Sequence, residues 1–178
     1  MDNDFIQLVE KINSIMLKNK EIESRVSTAT AFFEQGYNCS QAVFMAYSDI
    51  YGIEPEMAAK LATSFGGGMG RLREVCGAVS GMFLVLGLQY PFIDTKDKIA
   101  KNTNYKAVQR TANEFKSIMG SYICADLLKL KYEPQQPESS ERNEAYYNSR
   151  PCTRCVIVAA EIVGKELLTE GSFRIQTL

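Results

Sequence analysis

Apolar residues recur at three- and four-residue spacing along nearly the whole chain, the mark of amphipathic helices. Phe5, Leu8, Val9, Ile12 and Ile15 form one stripe and predict a helix over 5–17. A second helix is predicted over 26–33 and stops at Gly36. Asn38 followed by Gln41 has the form of a capping box. It opens a helix over 39–51 that buries Ala42, Val43, Ala46 and Ile50 and ends at Gly52. Pro55 suits the first turn of the next helix, which runs to about Phe65. No segment shows the period-two alternation of a half-buried strand.

Gly66, Gly67, Gly68 and Gly70 then form a bare loop. It leads into a stretch over 75–88 that is apolar nearly all round, as a helix in the middle of a bundle should be. Pro91 marks its exit. A long amphipathic helix over 95–119 stops at Gly120, and Ser121 can cap a short one over 122–130. Residues 131–150 carry two prolines and many polar side chains and read as a surface loop, Tyr146 and Tyr147 included. Pro151 opens a last helix over 152–168. The expected fold is all-α: one domain of roughly six to eight helices around a buried apolar one. Residues 1–25 would be an amphipathic arm suited to homodimer formation, and 26–178 the helical domain proper.

Composition narrows the chemistry. A chain of 178 residues buries enough surface to fold without disulfides. The net charge of −1, with both signs mixed, gives no footprint for nucleic acid or an anionic membrane. The acidic start lacks the form of a secretory signal, and the apolar run over 75–90 is too short and glycine-broken to span a bilayer. A cytoplasmic protein is expected. There is no histidine. Imidazole bases and His-ligated metals are therefore excluded.

Five cysteines, an odd number, point away from a structural disulfide framework and toward reactive or metal-binding thiols. On these helix assignments Cys39, Cys76, Cys124, Cys152 and Cys155 all fall in first turns. There the free amides and the positive dipole end favour the thiolate, which is both nucleophile and ligand. Cys152 and Cys155 form a C-x-x-C pair, used in redox dithiols and as half of many zinc and iron–sulfur sites. The small residues Gly77, Ala78, Ser80 and Gly81 would let other helices, and their thiols, approach Cys76. Gly66, Gly67, Gly68 and Gly70 with Arg71 form a candidate anion nest, and Arg73 adds charge. The Gly-Lys-Ser/Thr ending of a P-loop is missing. Glu74 is a candidate proton acceptor for a thiol, though a first-turn acid beside a helix dipole explains it as well.

YNCSQAV, then FGGGMGRLREVCGAVSG, then GSYICADLL, then a late cysteine followed by V-x-x-A-A resembles the C-GCAxxG-C-C family, named for its cysteine pattern and suspected redox activity. The resemblance spans about 28–168 and places the family's cysteines at Cys39, Cys76, Cys124 and Cys152, leaving Cys155 as an extra thiol. The Cys-Gly-Ala order departs from the family's Gly-Cys-Ala. The resemblance implies thiol chemistry in a bacterial cytoplasm and names no substrate.

Three functions follow. In the first, a thiol–disulfide redox protein works with a small thiol or a redox partner: Cys152 attacks, Cys155 or Cys76 resolves, and Cys39 and Cys124 form a second pair or shield the first. In the second, Cys39, Cys76, Cys124 and Cys152 hold zinc or an iron–sulfur cluster. In the third, the chain is a helical interaction protein with inert cysteines.

Overall fold

The sequence KNKEIESR over 18–25 contains neither glycine nor proline, so nothing in it stops a helix. The two helices expected on either side are accordingly one, α1 (Asn3–Glu34), running unbroken past residue 25. The computed structural model describes the backbone of residues 3–130 and 136–169; the side chains of 3–6, 8–12 and 169 lie outside the described residues. Phe5, Leu8, Val9 and Ile12 of the expected dimerising stripe therefore lie outside them, as do residues 131–135 of the expected loop. Ile15, Met16 and Leu17 are exposed, whereas Ile22, Ala29 and Phe33 are buried.

The capping box at Asn38 forms as expected. Its Oδ1 accepts from the amides of Ser40 and Gln41, and Gln41 Oε1 accepts from the Asn38 amide. It opens α2 (Cys39–Ser48), which passes into a single 3₁₀ turn, Asp49–Tyr51, before left-handed Gly52. Then come α3 (Pro55–Ala62), a 3₁₀ turn at Thr63–Phe65, and the one-turn α4 (Gly66–Met69). The central helix α5 spans Gly77–Gln89. The long helix α6 spans Lys98–Met119 and starts later than expected because Asp97 caps it by accepting from the Ala100 amide. The one-turn α7 (Cys124–Leu127) replaces the longer helix expected there; Ser121 Oγ accepts from the Ile123 amide, and Ile123 is the N-cap. Inside the expected polar loop lies α8 (Glu144–Ser149), capped by Asn143. The last helix is α9 (Cys152–Thr169). Among the described residues seven helices exceed one turn, and no strand forms. None is long and apolar enough to cross a membrane.

Helix α5 is the core. Ala78, Val79, Met82, Val85 and Leu86 are fully buried, and the larger ones each contribute about 1.5–3 kcal/mol of burial. Helices α2, α6 and α9 pack around it, and α1 lies along α9 and α2. The crossing with α2 depends on Gly81: a Cβ there would lie 2.6 Å from the Ser40 carbonyl oxygen. Close approach of two backbones needs a residue without a side chain. Tyr47 of α2 donates its hydroxyl to the Ala160 carbonyl of α9 at 2.7 Å, satisfying a buried phenol. Glu166 of α9 is buried and accepts from the Tyr90 hydroxyl at 2.7 Å and from Arg110 of α6.

Candidate functional site

A short extended pairing sets two of the thiols side by side. Val75 and Ile123 form an isolated antiparallel bridge. The Cys76 amide donates to the Tyr122 carbonyl at 2.8 Å, and the Cys124 amide donates to the Glu74 carbonyl at 2.7 Å. This pairing holds Cys76 extended, so it is the N-cap of α5 rather than a first-turn residue. Cys39, Cys124 and Cys152 are the first residues of α2, α7 and α9. Cys155 lies one turn into α9, which Pro151 opens by accepting from the Cys155 amide. Gly68 lets the glycine loop fold against this pairing: its φ is +73°, and a Cβ there would lie 2.6 Å from Cys124 Cβ.

All five cysteines line one cavity of about 50 Å³. None is disulfide-bonded, and Cys152 is the one that is not buried. Cys39 donates its thiol hydrogen to Cys152, and that bond is the main reason the Cys152 thiol is brought down, to about 7. Arg150, Arg142 and Arg73 add to the effect, against partial burial. The same bond, with burial, pushes the Cys39 thiol well up. Cys76 is in contact with Cys155 and is likewise held well above the ordinary thiol value by that contact and by burial. The Ala78 and Val79 amides pull the other way without closing a cap bond. Cys124 is pushed up to about 11 by burial, although Arg73 favours its thiolate. Thiolate character therefore concentrates on the one accessible sulfur.

The thiol that faces Cys152 is Cys39, and Cys155 faces Cys76. The C-x-x-C pair is thus split between two contacts with other helices. Among the described residues no group of three or more His, Cys, Asp and Glu side chains is arranged to hold a metal ion. The expected ligand set of Cys39, Cys76, Cys124 and Cys152 forms no such group.

The cavity is cationic. Arg73, Arg142 and Arg150 line it, and none of the described lining residues is acidic. Arg73 is only 6% exposed. Its Nη1 is 3.5 Å from the Gly67 carbonyl oxygen and 3.9 Å from Cys124 Sγ, and its Nε has no partner among the described residues. Its backbone has φ +65°, with Met69 and Arg71 also left-handed. Such conformations cost a side-chain-bearing residue of order 1 kcal/mol or more and cluster at functional sites. Arg142 stacks on Phe33 and Tyr146 and donates to the Phe33 carbonyl at 3.0 Å. Arg150 stacks on Tyr146 and donates to Ser140 Oγ.

Of the candidate anion nest, Gly67 lines the cavity; Gly66, Gly68, Gly70 and Arg71 are not among its lining residues. The Gly70 amide is spent on the Gly66 carbonyl, and Arg71 turns to the Gln136 carbonyl and Ser140 Oγ. The Glu74 side chain is exposed and does not line the cavity. Tyr146, expected in a loop, lies on α8 and forms part of the wall. Arg142 and Arg150 escaped the sequence reading because they sit in a polar stretch that resembles solvated loop. The available signals were Asn143 three residues before Tyr146, an Asx cap, and Arg150 directly before the Pro-Cys that opens α9.

An all-α bundle with five thiols around one cavity defines a cysteine-motif protein. Residues 37–166 match the family described as "Putative redox-active protein (C_GCAxxG_C_C)", and the chain belongs to that family. Comparison with curated proteins and with solved structures gives no significant match.

Proposed function

We propose that the protein is a thiol–disulfide redox protein in which Cys152 attacks and Cys39 resolves. The observation that carries this reading is the Cys39–Cys152 contact, with its low-lying accessible thiol among three guanidiniums. A thiolate with a value near ambient pH combines ionised fraction with nucleophilicity.

The Cys152 thiolate attacks one sulfur of a partner disulfide and forms a mixed disulfide, and the first partner thiolate leaves. Cys152 then no longer carries charge, so the main influence holding the proton on Cys39 is gone. The α2 N-terminus stabilises the Cys39 thiolate that results. It attacks Cys152 Sγ, expels the second partner thiolate, and its proton goes to that leaving group. The partner disulfide gains two electrons and becomes two thiols; Cys39 and Cys152 lose two electrons and become a disulfide. Reversal oxidises a partner dithiol. Cys76 and Cys155, both buried, form a second pair behind the first.

Exposure of reduced protein to oxidised glutathione, followed by acid trapping and peptide mapping, tests this. The expected product joins the Cys39 and Cys152 peptides, and Cys39→Ser should instead accumulate glutathione on Cys152. Glutathione on another cysteine, or an unmodified protein, would overturn the reading.

A further inference from the structure

The segments before α5, before α8 and between α8 and α9 bring three guanidiniums to one small cavity without an opposing carboxylate among the described lining residues. Two of the three are held by other contacts, Arg142 on aromatic rings and the Phe33 carbonyl, Arg150 on Tyr146 and Ser140. Arg73 is held more loosely: it is more than nine-tenths buried, its Nη1 makes only the long contacts to the Gly67 carbonyl and Cys124 Sγ, and its Nε has no acceptor among the described residues. A buried guanidinium nitrogen without an acceptor carries a desolvation penalty that a fold ordinarily avoids. Arg73 also sits in a left-handed backbone conformation, so the chain keeps both a strained residue and an unmatched charge here.

We infer that this cavity binds a small tetrahedral oxyanion, held on the Arg73 guanidinium beside Cys152. Charge sets the class. Three guanidiniums against one thiolate leave two positive charges, which a sulfate-like or thiosulfate-like dianion matches. Size agrees: about 50 Å³ takes a few water-sized groups and excludes a nucleotide. Guanidinium geometry agrees as well, because its parallel N–H donors meet two oxygens of such an ion. This site shares only Gly67 with the glycine loop first singled out for anions. It deepens the redox reading by specifying what accompanies the reactive thiol: a sulfur or phosphorus oxyanion, or a substrate bearing such a group.

The test uses sulfate, thiosulfate and phosphate as probes, at constant ionic strength against chloride, read by calorimetry and by melting temperature. Wild-type protein should bind at least one of them with one site per chain. Cys152→Ser, which cannot perform the thiol chemistry, should bind equally or more tightly, so failure of the redox reading leaves this result untouched. Arg73→Met should weaken binding at least about tenfold, Arg73→Lys should fall between, and Arg71→Ala, outside the cavity, should change it less than about twofold. Circular dichroism checks that each variant is folded; if Arg73→Met is not, Arg73→Lys and the wild-type result carry the decision. No saturable binding to wild type by any probe, or equal loss in the Arg71 and Arg73 variants, would overturn the inference.

Discussion

Two buried charges sit in different parts of this bundle and are treated in opposite ways. Glu166, 8% exposed, is closed: Tyr90 donates to it, and Arg110 forms an ion pair with it. Arg73, 6% exposed, is open: it has one long contact to a carbonyl, one to a thiol, and an Nε without an acceptor among the described residues. The first arrangement joins α9 to α6 and to the end of α5 and costs the fold little. The second weakens the fold locally while placing positive potential beside Cys152. Satisfied buried charge belongs to architecture, and unsatisfied buried charge to chemistry.

The contrast predicts opposite responses to removing a cation. Arg110→Met takes the ion-pair partner from a buried carboxylate, and chemical denaturation should show a loss of about 2 kcal/mol, at the low end because Arg110 is half exposed. Arg73→Met removes a charge held only by two long contacts, and stability should change by less than about 0.5 kcal/mol or rise. A loss at Arg73 equal to that at Arg110 would erase the distinction. Tyr90→Phe should cost about 1 kcal/mol, for one hydrogen bond to a charged group beside a retained ion pair.

Reactivity sharpens the same comparison from the other side. Cys39→Ala removes the donor that does most to lower the Cys152 thiol, so its alkylation rate at pH 7 should fall by about tenfold or more. Arg73→Met removes a smaller influence, and a fall of about threefold is expected. Arg110→Met should leave the rate unchanged. Competition labelling with iodoacetamide measures all three.

Stability should carry the signature of this thiol too. A thiol whose value drops on folding adds stability above its unfolded value, and that gain is lost as pH falls through the folded value. For Cys152 the window runs from 9 down to about 7. Wild type should therefore gain on Cys152→Ser as pH rises through that window and show no such gain below it. Cys39 is raised instead, so its contribution is intact up to 9 and declines only above, leaving the window to Cys152. Melting curves at several pH values check the sign.

The helices were legible because their signals are local. The Asn38 capping box, the stops at Gly36 and Gly120 and the all-round apolar run of α5 each act within a few residues. The unbroken α1 was missed because Ile22 is a single apolar anchor in a charged stretch. The clustering of cysteines at helix starts could be read for the same local reason. Which sulfur faces which could not: Cys39 meets Cys152 through the packing of α2 against α9, and Cys76 meets Cys155 through α5 against α9. The cationic wall was invisible because Arg142 and Arg150 come from the polar stretch before α9, and only tertiary contact with Phe33 and Tyr146 turns them inward. Arg73 was visible as charge beside glycines, but its burial depends on the bridge between Val75 and Ile123.

The most direct measurement is the alkylation rate of each cysteine in fully reduced protein as a function of pH, resolved by peptide mass spectrometry. Cys152 should be labelled far faster than the other four, with a midpoint near 7. A Cys152 that reacts no faster than Cys124, or only with the midpoint of an ordinary thiol, would contradict the assignment of this cavity to thiol chemistry.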